Sequence, residues 1–136
     1  MLFRSSRRTY PLTFLSVFDY PIMDTNCTRR VPSATPLQSL TMMNDEFVVG
    51  SAGQMADRVN ELVGADASAA KKIEAAYLLA LARKPADSEL SLSEDYLKRQ
   101  EQLLVNANVA AKEARERALA SLTQTLLSTN EFLYVE

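Results

Sequence analysis

Four carboxylates, Asp45, Glu46, Glu94 and Asp95, are the most closely spaced acidic groups on which catalysis could be built. Two carboxylates that converge in a cleft, with pKa values pushed apart, can act as the general acid and general base of a hydrolase. Here the residues fall near helix starts and on charged helix faces, which favours structural roles. We therefore assign no catalytic residue, and an enzyme acting on glycans or another anionic substrate remains an alternative.

Arginines concentrate in the first 34 residues, which hold five of them against two Asp, whereas the remaining residues hold ten Lys and Arg against fifteen Asp and Glu. Together with Tyr10 and Phe14, these arginines have the chemistry to meet phosphates or anionic glycans. The acidic remainder of the chain argues against a broad nucleic-acid surface. An anion or interaction site is predicted at Arg7, Arg8, Arg29 and Arg30.

Histidine is absent and Cys27 is the single cysteine. This composition excludes a Ser-His-Asp triad, imidazole metal ligands and His-ligated haem. It also excludes an internal disulfide and the two-cysteine attachment of a c-type haem. No cofactor or metal is predicted for this chain, and the sequence favours an inert Cys27 over a reactive thiol.

Two helix starts in series organise the chain. Thr35 and Gln38 form a predicted capping box around Pro36 at the first helical position. Asn44 then provides a second predicted N-cap, because it is followed by Asp45 and Glu46, whose carboxylates suit the positive end of a helix dipole. The pattern predicts a helix, a tight corner and a second helix.

Three further helices follow from apolar spacing and end signals. The helix from Asn44 should end at Gly64. The next begins at Asp66 or Ser68 and stops before Pro85, and Arg83 and Lys84 suit the negative end of its dipole. Another helix begins at Asp87 or Ser88, and the last runs from about Val109 to Thr129. In the four helices from Asn44 onward, the predicted buried positions are Val48, Ala52, Met55, Val59, Leu62, Ile73, Ala76, Tyr77, Ala80, Leu81, Leu90, Leu97, Leu103, Leu104, Leu119, Leu122 and Leu126.

Gly50 and Gly53 frame Ser51 and Ala52 within one of these apolar faces. The tetrad superficially matches the GXXG loop of an RNA-binding KH domain, but it carries no charge to meet a phosphate. The pattern instead predicts two glycines that allow another helix to approach closely.

The predicted fold is all-α: a small bundle of about four to five helices over residues 35–136, preceded by an irregular, proline-containing segment over residues 1–34 with one short helix. Phe132 begins a terminal run of four apolar residues that is expected to dock into a groove between helices or into a partner. No run approaches the length of a membrane span.

Several blocks, read in order, resemble a known family. They are Arg7-Arg8-Thr9-Tyr10, Phe18-Asp19-Tyr20-Pro21, Cys27-Thr28-Arg29-Arg30, Thr35-Pro36-Leu37-Gln38-Ser39-Leu40, Met43-Asn44-Asp45, Leu81-Ala82-Arg83-Lys84-Pro85 and Asn130-Glu131-Phe132-Leu133-Tyr134-Val135. The ordered set resembles the large planctomycete family called domain of unknown function 1553. The resemblance implies that the chain is the C-terminal portion of a longer protein, with a cytochrome c module and a second domain of unknown function upstream, behind an export signal.

That resemblance implies a periplasmic or extracytoplasmic location, but it transfers no active site. Haem binding is not carried over either, since the chain lacks the haem motif. The expected function is a non-catalytic helical module that packs on upstream domains of its parent or on a protein partner. Its oligomeric state, and whether it folds alone, are left open by the sequence.

Overall fold

The computed structural model describes residues 36–133, which form six helices and no strand. The helices are α1 (Pro36–Asn44), α2 (Glu46–Val63), α3 (Ala69–Leu81), α4 (Asp87–Asn106), α5 (Ala111–Leu127) and α6 (Asn130–Leu133). The predicted all-α class is confirmed. Within the described residues, no helix combines the length and the apolar character needed to cross a membrane.

Residue contacts divide the chain into two compact units, Met1–Asp45 and Glu46–Glu136. The predicted boundary after Ala34, and the short helix predicted before it, lie outside the described residues. In the first unit, α1 begins at Pro36, as the proline at the first helical position predicted. The cap contacts predicted for Thr35 and for the Gln38 side chain also lie outside the described part of the chain.

The predicted role of Asn44 as the N-cap of the second helix is wrong. Asn44 is the last residue of α1, and its Nδ2 donates a 2.9 Å hydrogen bond to the Leu40 carbonyl. The side chain therefore satisfies a carbonyl at the end of one helix rather than an N–H at the start of the next. Asp45 alone separates the two helices, and Glu46 lies in the first turn of α2 as predicted.

The second unit is a bundle of α2, α3, α4 and α5, in which each helix contacts the next and α2 also contacts α5. Helix α5 contacts all three of the others. Its predicted buried leucines are confirmed, and they join residues of α2 and α3 in one cluster: Ala56, Val59, Ile73, Ala76, Tyr77, Leu119, Leu122 and Leu126. Because α5 supplies three of these apolar side chains, the core is incomplete without it.

Two predicted core residues are exposed. Leu62 is 54% exposed because the buried face of α2 passes through Ala56 and Val59, which places Leu62 at the edge of that face. Leu103 is 62% exposed for the same reason, since the inner face of α4 centres on the buried Ser93. The other predicted core positions are buried or half-buried.

Helices α2 and α5 are joined by a buried hydroxyl as well as by apolar contacts. Thr123 is fully buried, and its Oγ1 lies 2.8 Å from the Ala52 carbonyl in α2 and 2.8 Å from the Ala120 carbonyl in its own helix. The predicted close approach at Gly50 and Gly53 is not made by the described residues, since none has an atom within 4 Å of a Cβ placed at either glycine.

Left-handed residues end three of these helices. Gly64 (φ +92°) follows α2 as predicted, Ala82 (φ 54°) follows α3, and Asn108 (φ 62°) lies in the break predicted between α4 and α5. The Ala82 N–H donates to the Leu78 carbonyl, which closes the last turn of α3. The chain direction therefore changes at Ala82, immediately before the residues described next.

Candidate functional site

A charged corner forms where α3 ends, α4 begins and α6 packs against the bundle. Arg83 follows the left-handed Ala82, and Glu89 occupies the third position of α4. Glu131 belongs to α6, which contacts both α3 and α5. These three side chains, Arg83, Glu89 and Glu131, are called the Arg83 clasp.

The guanidinium of Arg83 binds two carboxylates at once. Its Nη1 and Nη2 donate to Glu89 Oε2 and Oε1 at 2.7 and 2.8 Å. Its Nε and Nη2 donate to Glu131 Oε1 and Oε2 at 2.6 and 2.8 Å. A further bond of 3.1 Å runs from Nη1 to the Lys84 carbonyl. Two-point contacts of this kind fix orientation as well as distance, and only arginine offers them.

Glu89 and Arg83 each make one further contact. Glu89 Oε2 accepts a 2.7 Å hydrogen bond from the Ala86 N–H, so it caps the first turn of α4, where Ala86 itself has no side chain to do so. The Arg83 guanidinium carbon lies 5.5 Å from the centre of the Tyr77 ring, within the range of a cation–π contact.

The clasp holds its carboxylates in the ionised form. Hydrogen bonds from Arg83, and then the Ala86 N–H, lower the pKa of Glu89 to about 2. Hydrogen bonding to Arg83 also lowers the pKa of Glu131, and the two carboxylates raise the pKa of Arg83. A general acid or base works best with a pKa near the operating pH, so these carboxylates are suited to holding helices together rather than to proton transfer at neutral pH.

The sequence did not indicate this clasp. Arg83 was predicted to suit the C-terminal dipole of α3, and no contact was predicted for Glu131. A glutamate at the third position after a helix start is a usable signal for Glu89. The Arg83–Glu131 contact spans 48 positions, and nothing in a single sequence marks a pairing at that distance.

A cleft of about 410 Å³ lies elsewhere in the same unit, between the α2–α3 loop and the middle of α4 and start of α5. Its charged lining consists of Lys72, Lys98, Lys112 and Arg115 together with Asp66, Glu94, Glu101 and Glu116. Four positive side chains face four negative ones, and one pair, Arg115 Nε to Glu101 Oε1, is in contact at 2.8 Å. The lining therefore favours neither an anionic nor a cationic ligand.

Asn60 also lines this cleft, and its Oδ1 is buried without a hydrogen-bond partner. An atom that faced this cleft would have accessible surface, so this oxygen points away from the open space. The unpaired oxygen does not mark a ligand contact.

The structure separates the carboxylates that the sequence placed together on α4. Glu94 lines the cleft, whereas Asp95 is exposed, does not line it, and lies 4.0 Å from Lys98 Nζ. Glu46 is exposed at the start of α2. Among residues 36–133 no group of three His, Cys, Asp or Glu side chains is placed to hold a metal ion.

The predicted anion site cannot be placed, because Arg7, Arg8, Arg29 and Arg30 lie outside the described residues, as does Cys27. It stays a prediction from the sequence.

Comparison with known proteins gives a match to one family. Residues 1–97 match the PSD1 family, described as a protein of unknown function (DUF1553). The match ends within α4, so α5 and α6, with the core leucines and Glu131, follow it in the chain. No curated protein and no solved structure matches the chain.

Proposed function

Since the chain belongs to the PSD1 family of proteins of unknown function (DUF1553), we propose its function from its geometry: it is a non-catalytic helical module that packs against neighbouring domains of a longer parent protein. The observation that carries this proposal is a set of large, exposed apolar side chains on α3 and α4. Leu78 and Leu79 are 47% and 44% exposed, and Leu92 and Leu103 are 70% and 62% exposed.

The two leucines of α4 belong to one stripe. Leu92, Tyr96, Arg99 and Leu103 recur at spacings of four, three and four, which places them along one side of the helix. The Tyr96 hydroxyl is 2.6 Å from Ser121 Oγ in α5, so this side of α4 borders the bundle rather than pointing straight outward. A neighbouring domain that packs there would cover both leucines.

The charge pattern supports packing over catalysis. In the Arg83 clasp two carboxylates are committed to one guanidinium, and in the cleft the charges balance. The family resemblance implies that such a module belongs to an extracytoplasmic parent protein with further domains upstream. The proposal includes this setting.

The isolated chain tests the packing surface. We expect it to bind a dye specific for apolar surface and to self-associate reversibly in sedimentation experiments. The Leu92→Gln, Leu103→Gln variant should show both properties more weakly, with unchanged helix content. A matched control is Leu62→Gln, which replaces an exposed leucine on α2 and should change neither property. A wild-type chain that is a strict monomer without dye binding contradicts the proposal.

The parent is tested by the genomic reading frame upstream of Met1. An in-frame continuation that encodes an export signal and a further domain supports the proposed setting. A stop codon directly upstream contradicts it and leaves the packing surface to be explained by separate partner proteins.

A further inference from the structure

Helix α6 attaches to the bundle through side chains that stay partly exposed. None of its four residues is buried, and Phe132 is 43% exposed although α6 contacts α3 and α5. The buried cluster of this unit is built from α2, α3 and α5. Phe132 and Leu133 pack only partly against the bundle, and the two hydrogen bonds between Glu131 and Arg83 fix the orientation of α6 on it.

Arg83 does not depend on Glu131 for a partner. When Glu131 moves away, Arg83 keeps the two bonds to Glu89 and the bond to the Lys84 carbonyl. A buried charge left without a partner is costly, but this guanidinium is half-exposed and stays paired. Detachment of Glu131 therefore leaves the corner between α3 and α4 in place.

The end of α5 is fixed independently of α6. Ser128 Oγ donates to the Gln124 carbonyl at 2.8 Å, and Thr129 Oγ1 donates to the Leu126 carbonyl at 2.7 Å. The N–H groups of Phe132 and Leu133 bond to the Thr129 carbonyl at 3.2 and 3.1 Å. Opening of α6 therefore breaks its two bonds to the Thr129 carbonyl and does not need α5 to unwind.

We propose that α6 is a strap that opens and closes on the bundle as a unit, held shut by the Glu131–Arg83 ion pair, while α2 to α5 stay folded. In the open form, the Nε edge of Arg83 becomes available to a carboxylate from a second polypeptide. The segment that fits has the chemistry of the strap itself, an acidic residue followed by an aromatic one. This device goes beyond the packing surface of α3 and α4 and does not depend on it.

Hydrogen exchange of the full chain tests the opening. In Glu131→Gln, the amides of Phe132 and Leu133 should exchange about 3-fold faster than in the wild type, because local opening sets their rate and an exposed ion pair contributes less than about 1 kcal/mol. The amides of Val59 and Ile73 should be unchanged. The control is Glu61→Gln, which removes the Arg58–Glu61 ion pair of 3.0 Å on α2 and should leave α6 unchanged. Unchanged α6 amides, or an equal acceleration in the core, overturn the proposal.

A peptide tests whether the Nε edge of Arg83 binds a carboxylate from a second polypeptide. The probe is a nine-residue peptide with the sequence of residues 128–136, added to the full chain carrying Glu131→Gln and Phe132→Ala. We expect saturable binding that shifts the Arg83 Nε resonance, and no binding when the peptide carries glutamine in place of its first glutamate. Equal binding of the two peptides, or binding of neither, overturns the proposal that Arg83 binds a carboxylate from a second polypeptide.

Discussion

The core between α2, α3 and α5 and the corner at Arg83 are held together by different forces. In the core, Val59 and Ile73 have no exposed surface and their contacts are apolar. At the corner, all three members of the clasp are partly exposed, and hydrogen-bonded charges make the contacts. Apolar burial is non-directional and strong, whereas exposed ion pairs add little free energy but define geometry.

This difference indicates that the core sets the stability of the unit, whereas the corner sets the arrangement of α4 and α6. Losing a core side chain should weaken the whole unit, whereas losing a clasp side chain should change how α4 and α6 are anchored with a smaller effect on unfolding. The following variants test that contrast, from the largest expected effect to the smallest.

Ile73→Ala should lower the free energy of unfolding by about 2–4 kcal/mol, because it removes a fully buried side chain and leaves a cavity. Urea denaturation followed by circular dichroism measures the change. Leu92→Ala is the matched control: its side chain is 70% exposed, so its effect should stay within about 0.5 kcal/mol. Equal effects would mean that the buried cluster does not dominate stability.

Thr123→Val should lower the free energy of unfolding by about 1 kcal/mol, since it keeps the shape of the side chain but removes the hydroxyl that reaches Ala52 in α2. Thr125→Val is the control, because the Thr125 hydroxyl is exposed and bonds to Ser121 in its own helix. The same urea titration compares the two. No difference between them would show that the bond between helices adds nothing.

Gly53→Ala should raise the free energy of unfolding by about 0.5–1 kcal/mol, because alanine favours helix and no described atom crowds the new methyl group. Gly64→Ala should instead lower it by about 1 kcal/mol, since its φ of +92° disfavours a side chain. Thermal melts distinguish the two signs. Destabilisation by Gly53→Ala would restore the close approach that the sequence predicted there.

Acid should weaken the corner through Glu89. Its folded pKa of about 2 lies below the ordinary value of 4.5, so the folded state binds fewer protons, and this stabilisation is complete above pH 4.5 and lost as the pH falls towards 2. Urea midpoints at pH 7, 4 and 3 should therefore fall less steeply in Glu89→Gln than in the wild type. A wild-type slope in Glu89→Gln would contradict the assignment.

Sequence reasoning succeeded where periodicity and end signals act locally. It predicted the α-class, the helix start at Pro36, the left-handed Gly64 and the core leucines of α5. It placed Asn44 wrongly because the same side chain can cap the start of one helix or bond to a carbonyl at the end of another. It missed the clasp because Glu131 reaches Arg83 only after the bundle has formed, and helix spacing carries no record of that pairing.

Experiments that ask whether the region matching the family folds on its own should include α5. Residues 1–97 match the family, yet Leu119, Leu122 and Leu126, which complete the core, come after that match. During synthesis the apolar faces of α2 and α3 therefore emerge from the ribosome before α5 can cover them. This delay predicts that the nascent chain needs chaperone protection until Leu127 has left the exit tunnel.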